Sequence, residues 1–137
     1  MAGAMRILVT GAAGQLGAVL VSRFRAAGHE VVGTTRAELD VTRHADVMRV
    51  VSDVHPQVIA NCTAYNDVDG AEDDATTALE VNAFAVRSLA RAAREWGAIL
   101  VHYSTDFVFE GEPTRAAPYT EDDRPNPQSV YGCSKLL

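Results

Sequence analysis

Gly11, Gly14 and Gly17 recur every third residue between a short, largely apolar run, Arg6-Ile7-Leu8-Val9-Thr10, and a stretch of helical periodicity. A strand must end here, a turn must be tight, and a helix must start at once. Gly11 permits that turn, Gly14 lets the backbone approach a pyrophosphate, and Gly17 lets the helix pack closely on the strand. The helix start then offers free N–H groups and a positive dipole end to phosphate oxygens. The spacing is GxxGxxG, a variant of the commoner GxGxxG, and the alternative is that the glycines serve turning and packing alone.

The rest of the chain supports a fold built around such a turn. Leu16, Val19, Leu20 and Phe24 form a helical stripe over Gln15 to Ala27, and Gly28 stands where a helix-ending glycine belongs. His29 to Thr34 reads as the second strand, and Ala37 to Val41 as a very short third. Arg43 to Val54 carries a helical stripe that His55-Pro56 ends, because a residue before proline is pushed out of the α region. Gln57 to Cys62 is a strand, Leu79 to Ala93 an amphipathic helix ended by Gly97, and Ala98 to Tyr103 another strand. Strands alternating with helices predict parallel pairing, hence an α/β, Rossmann-type doubly wound parallel sheet. Glu110 to Ser129 holds four of the five prolines and reads as an irregular loop. The chain stops two residues after Lys135, in the first turn of a further helix, so the expected sheet is truncated before its last strands. Met1 to Met5 reads as a leader stretch.

At 137 residues, 47% hydrophobic and 22% charged, one domain over 1–137 is expected. The net charge of −6 is spread along the chain, which argues against nucleic acid and anionic membrane partners. Cys62 and Cys133 have no CxxC or Cys/His metal spacing, so no metal is expected. With no signal peptide or long apolar run, the expectation is a cytoplasmic protein.

The residue holding the cofactor ribose lies about twenty residues beyond the glycine turn. There the sequence reads Gly33-Thr34-Thr35-Arg36, with no acid. Thr35 and Arg36 suit the 2′-phosphate of NADPH, which is preferred over NADH, unless Arg36 is simply a solvated surface residue. Further on, Ser104-Thr105-Asp106 ends the last strand, where ligands bind in open α/β folds. Tyr131 and Lys135 stand at i and i+4, one face of a helix, and Lys135 is the only lysine in the chain. A nearby ammonium favours a phenolate, so such a tyrosine can donate a proton to a developing alkoxide.

Taken together, TGAAGQLG (Thr10 to Gly17), LDV (Leu39 to Val41), NCTAYNDVDGAE (Asn61 to Glu72), VNA (Val81 to Ala83), HYSTDFVFEG (His102 to Gly111) and YGCSK (Tyr131 to Lys135) resemble the dTDP-4-dehydrorhamnose reductases. These are extended short-chain dehydrogenases of the epimerase/dehydratase superfamily. The resemblance covers Arg6 to Leu137, and STDxVFxG and VDxAE are its more specific parts. It implies reduction of the 4-keto group of a nucleotide-linked deoxysugar by NADPH or NADH. Tyr131 would be the general acid, Lys135 would bind the nicotinamide ribose and lower the tyrosine pKa, and Thr105 would hydrogen-bond the keto oxygen, with Ser104 and Asp106 shaping that wall.

The same resemblance gives Gly11, Gly14, Gln15, Leu16 and Gly17 to the cofactor phosphates, Asp40 and Val41 to the adenine, and Cys62, Thr63, Ala64 and Tyr65 to the ribose and pyrophosphate. Cys62 and Thr63 depart from the alanines commoner in the family, which bears on affinity and not on binding mode. Val68 and Asp69 match residues near the sugar nucleotide, although Asp69 equally suits a cap for the following helix. Asn82 lies on a buried helical stripe, where an amide needs partners; it either supports the site or is a satisfied core amide. A family member would continue for about as many residues again into a carboxyl-terminal substrate domain. The expectation is therefore an incomplete NAD(P)-binding domain, poorly active alone, whose full-length form allows for a homodimer. A non-catalytic dinucleotide sensor or regulatory module, and a sugar-nucleotide epimerase or dehydratase, are the alternative functions.

Overall fold

The computed structural model describes residues 3–137, so Met1 and Ala2 of the expected leader lie outside the described residues. These residues fall into two compact units. One runs to Thr63 and resumes over Phe84–Tyr103; the other comprises Ala64–Ala83 and Ser104–Leu137.

The first unit holds strands β1 (Arg6–Thr10), β2 (Glu30–Thr34), β3 (Val58–Asn61) and β4 (Ile99–His102), all parallel in the order β2-β1-β3-β4. Leu8 stands level with Val32 on one side and Ile59 on the other, and Ile59 with Leu100. Because side chains alternate across a strand, Leu8 and Ile59 enter one core and Ile7, Val9 and Ala60 another. On the first face lie α2 (His44–Val54) and α5 (Ala85–Trp96), which contribute Val47, Val50, Val51, Leu89, Ala92 and Ala93. On the second lies α1 (Gln15–Ala26), through Leu20, Val21 and Phe24. A sheet covered on both faces is the doubly wound arrangement expected of these near-continuous apolar strands. Fully burying a valine or leucine contributes about 1.5–3 kcal/mol, so these two layers supply most of this unit's stabilisation. On β4, at the end of that order, Ile99 and Val101 remain 65% and 39% exposed.

Helix ends follow local chemistry. Gly28 (φ +84°) follows α1, and Gly97 (φ +67°) ends α5. His55 closes α2 at φ +48°, the one positive φ among the described non-glycine residues, and its ring meets Trp96 edge-on at 4.7 Å.

The expected short strand at Ala37 to Val41 is absent; the segment is a turn. Side-chain acceptors there outcompete a sheet ladder. The Glu38 carboxylate accepts from Thr35 N–H and Oγ, and Asp40 Oδ1 accepts from Thr42 N–H and Oγ. Leu39 and Val41 are apolar because they enter the core of this unit. The expected helix through Leu79 also differs: α4 (Ala75–Leu79) runs into a π-turn at Glu80–Phe84 before α5. The wider turn rotates the helix phase, so that Ala85 and Ala92 are buried while Ala90 is exposed.

The second unit contains α3 (Gly70–Asp73), α4, a 3-10 turn at Asp106–Val108 and α6 (Val130–Leu136). Its core is Ala71, Ala78 and Tyr131, packed by Tyr65, Val68 and Val130. The proline-rich stretch is irregular, as expected. It is braced by Phe109 stacked on Tyr119 at 4.4 Å and by Arg115, which lies 4.2 Å over that Tyr119 ring and 2.8 Å from Asp123.

Candidate active site

In the first unit, Gly11 turns the chain out of β1 at φ +69°. A Cβ there would stand 2.9 Å from the Cys62 carbonyl, and one on Gly17 would strike the Gly11 carbonyl oxygen. The turn is therefore closed to larger residues. Gly14 is the N-cap of α1, and no side chain caps that helix. The amides of Gln15, Leu16 and Gly17 thus begin a twelve-residue helix with no side-chain acceptor, and the residues present fit a pyrophosphate.

Thr35 and Arg36 follow β2 as expected, but both Thr35 donors go to Glu38, at 2.8 and 2.9 Å. Those bonds hold the Glu38 carboxyl below its ordinary pKa. A carboxylate thus stands where the sequence reading saw only hydroxyls and a guanidinium. Asp40 is also lowered, first by the Thr42 hydroxyl and, against a burial penalty, then by the Thr42 amide and by Arg36 and Arg43, and Val41 is buried in the core.

Asn61, which the sequence reading did not single out, ends β3 and is 1% exposed. Its Oδ1 accepts from Thr10 Oγ at 2.7 Å and from the Thr63 amide and hydroxyl, while Nδ2 meets His102 Nδ1 at 3.1 Å. One amide thus ties together the carboxyl ends of β1, β3 and β4. The signal was a polar residue closing an apolar strand. Cys62 beside it is half-buried, and burial raises its thiol pKa.

In the second unit, Thr105 caps the 3-10 turn, its Oγ accepting from Phe107 N–H, with Asp106 Oδ1 at 3.3 Å. Phe107 meets the Tyr131 ring edge-on at 5.6 Å. α6 starts at Val130 because Ser129 Oγ accepts the Gly132 amide at 3.0 Å and Glu72 Oε1 accepts the Val130 amide at 2.8 Å. Tyr131 and Lys135 follow one turn apart, Tyr131 only 9% exposed and Lys135 with a pKa lowered by burial. Asn82, on the π-turn, accepts the Tyr65 amide and donates to the Tyr65 carbonyl and to Ser134 Oγ, at 2.9, 3.0 and 2.9 Å. Ser134 in turn donates to the Tyr131 carbonyl at 2.7 Å. Asn82 therefore links the Tyr65 backbone to the helix of the Tyr-Lys pair. Tyr65 has its phenol pKa raised by desolvation, then by Asp67, Asp74 and Asp73. Asp69 stands at the N-cap of α3 but its side chain makes no capping bond: Asp67 accepts the Gly70 amide at 2.9 Å, and Asp74 caps α4 through Thr77. Ala64 and Val68 belong to this unit too.

The parallel sheet, glycine turn and uncapped helix start are those of the Rossmann-type dinucleotide-binding class. Residues 5–137 match the family described as RmlD substrate binding domain, and the chain belongs to that family. It is 46% identical over 133 residues to a dTDP-4-dehydrorhamnose reductase of Burkholderia thailandensis, covering 97% of this chain and 44% of the relative. A solved dTDP-4-dehydrorhamnose reductase from Bacillus anthracis, in complex with NADP, superposes with a TM-score of 0.93 at 37% identity, over 99% of this chain and 48% of that one. A Thermus thermophilus UDP-glucose 4-epimerase in complex with NAD gives 0.87 at 28% identity, over 96% and 47%. The chain thus spans about half the length of the relatives it matches.

Proposed function

We propose that the full-length protein carrying this chain reduces the 4-keto group of a nucleotide-linked 6-deoxysugar with NAD(P)H, and that residues 1–137 form its cofactor-binding domain. The observation that carries this reading is α6, which presents Tyr131 and Lys135 one turn apart in a chain 46% identical to a dTDP-4-dehydrorhamnose reductase.

When bound, reduced nicotinamide supplies the hydride that adds to the keto carbon. The glycine turn and the start of α1 hold the pyrophosphate. Thr105 donates a hydrogen bond to the keto oxygen, and Tyr131 gives that oxygen its phenolic proton as the carbonyl π pair moves onto it. Lys135 holds the ribose hydroxyls and stabilises the phenolate left on Tyr131. Val68, Asp69 and Asp106 border the sugar nucleotide.

For the cofactor, Arg36 with Thr35 favours NADPH, whereas Glu38 opposes a 2′-phosphate, so both reduced cofactors are expected to serve, NADPH the better. No described helix is long and apolar enough to cross a membrane.

The test is consumption of NADPH by the full-length protein with a dTDP-4-keto-6-deoxysugar. Turnover that is lost in Tyr131→Phe while cofactor binding persists supports the reductase. Absence of turnover in wild-type protein would sink it. The epimerase reading, favoured by the NAD-bound epimerase superposition, would instead give tightly copurifying oxidised cofactor and no net consumption.

A further inference from the structure

Two features of the second unit act on the helix of Tyr131 without touching the reacting atoms. Gly132 is buried in the first turn of α6. A Cβ on it would run into the carbonyl oxygen of Phe107, with the Phe107 carbonyl carbon at 3.2 Å and Pro127 Cβ at 3.0 Å. Backbone is what it would strike, and backbone cannot swing aside as the tip of a side chain does. Phe107 sits in the same 3-10 turn as Asp106, and Thr105 is the cap of that turn. The bare Cα of Gly132 therefore lets the turn carrying the hydroxyl seat directly on the helix carrying the phenol.

Glu72 acts at the other end of the same contact. Its carboxylate accepts the Val130 amide at 2.8 Å, across a gap of 58 residues in sequence, and so sets where α6 begins, one residue before Tyr131. Ser129 already satisfies the Gly132 amide within the local chain, so Glu72 is the long-range half of the anchoring. It belongs to the segment carrying Ala71, whose side chain packs in one core with Tyr131.

We propose that Gly132 and Glu72 are positioning residues for the reduction: the missing side chain of one and the carboxylate of the other seat α6 on the Thr105 turn and thereby set where the Tyr131 phenol stands. This rests on the reductase reading. A displacement of about 1 Å at such a donor lowers turnover by about a hundredfold, while binding contacts elsewhere are kept. The carboxylate works as an acceptor, so glutamine at position 72 serves where alanine does not.

The experiment compares Glu72→Ala, Glu72→Gln and Gly132→Ala with wild type in the full-length protein. It reads kcat, the KM values for cofactor and sugar, the pH profile of kcat, and amide exchange at Val130. Expected are kcat losses of about tenfold or more in Glu72→Ala and Gly132→Ala with KM values within about twofold, a displaced pH profile, and recovery to within about threefold in Glu72→Gln. Exchange at Val130 should quicken in Glu72→Ala and not in Glu72→Gln. Unchanged kcat in either tenfold-loss variant, a loss residing in KM, or failure of glutamine to rescue overturns the proposal. If Gly132→Ala does not fold, the Glu72 pair decides. If wild-type protein turns over no keto sugar, the reductase reading fails by itself. Val130 exchange then judges the anchor: equal rates in wild type and Glu72→Ala overturn it, and faster exchange in the variant upholds it.

Discussion

Asn82 occupies both ends of its amide inside the second unit, holding the Tyr65 backbone on one side and Ser134 on the other. Replacing it by alanine leaves buried donors and acceptors unpaired, at a cost of about 2–3 kcal/mol. Urea unfolding of Asn82→Ala checks that figure, and a loss below about 0.5 kcal/mol would mean that water takes over the bonds. Glu38 allows a second test at this scale. Glu38→Gln keeps an acceptor for Thr35 and removes a charge beside it. The ratio of kcat/KM for NADPH over NADH should then rise by about fivefold, the size of one exposed charge interaction. No change in that ratio would place Glu38 outside the phosphate's reach. Neither residue's part was fully legible beforehand: periodicity put Asn82 on a buried stripe, but its partners lie at 65 and 134, and no local pattern carries such distances.

Helices and strands were far more readable than their joins. β1, α1, β2, α2, β3 and β4 lie within a residue or so of where apolar periodicity, Gly28, Pro56 and Gly97 put them, because each stripe is set by a burial that every residue in it shares. Ala37 to Val41 misled because Leu39 and Val41 alternate as in a strand, although both are buried from a turn whose shape Glu38 and Asp40 decide by hydrogen bonding their neighbours. The π-turn left no trace in the sequence for a similar reason, since one widened turn changes phase and not composition. Its consequence is testable in α5. Leu89 is fully buried, so Leu89→Ala should cost about 2–5 kcal/mol. Ala90→Gly, at an exposed position, should cost only about 1 kcal/mol of helix propensity. Comparable losses at both positions would return the helix to the unshifted phase.

At the scale of the whole molecule, pH acts on the fold in two separate windows, and in both stability rises with pH. Glu38, Asp40, Asp74 and Asp123 all have depressed pKa values, chiefly from hydrogen bonds donated to their carboxylates. Their stabilisation is fully present above the ordinary values of 3.8 and 4.5 and is lost as pH falls through the lower folded values. Lys135 contributes a penalty in the alkaline window: burial disfavours its ammonium below the folded pKa, and that penalty is relieved as pH rises towards 10.5. Thermal unfolding should therefore give a Tm that is flat near neutrality and drops below about pH 4. A Tm still unchanged at about pH 2.5 would mean that these bonds persist in the unfolded chain.

Lys135 is also the one lysine among 137 residues. Amine acylation of this chain accordingly has a single side-chain target, whose pKa burial lowers from its ordinary 10.5. The count of acyl groups per molecule, read by mass, then tests whether a bound dinucleotide reaches this amine. A dinucleotide that shields the amine should lower that count before any turnover is measured.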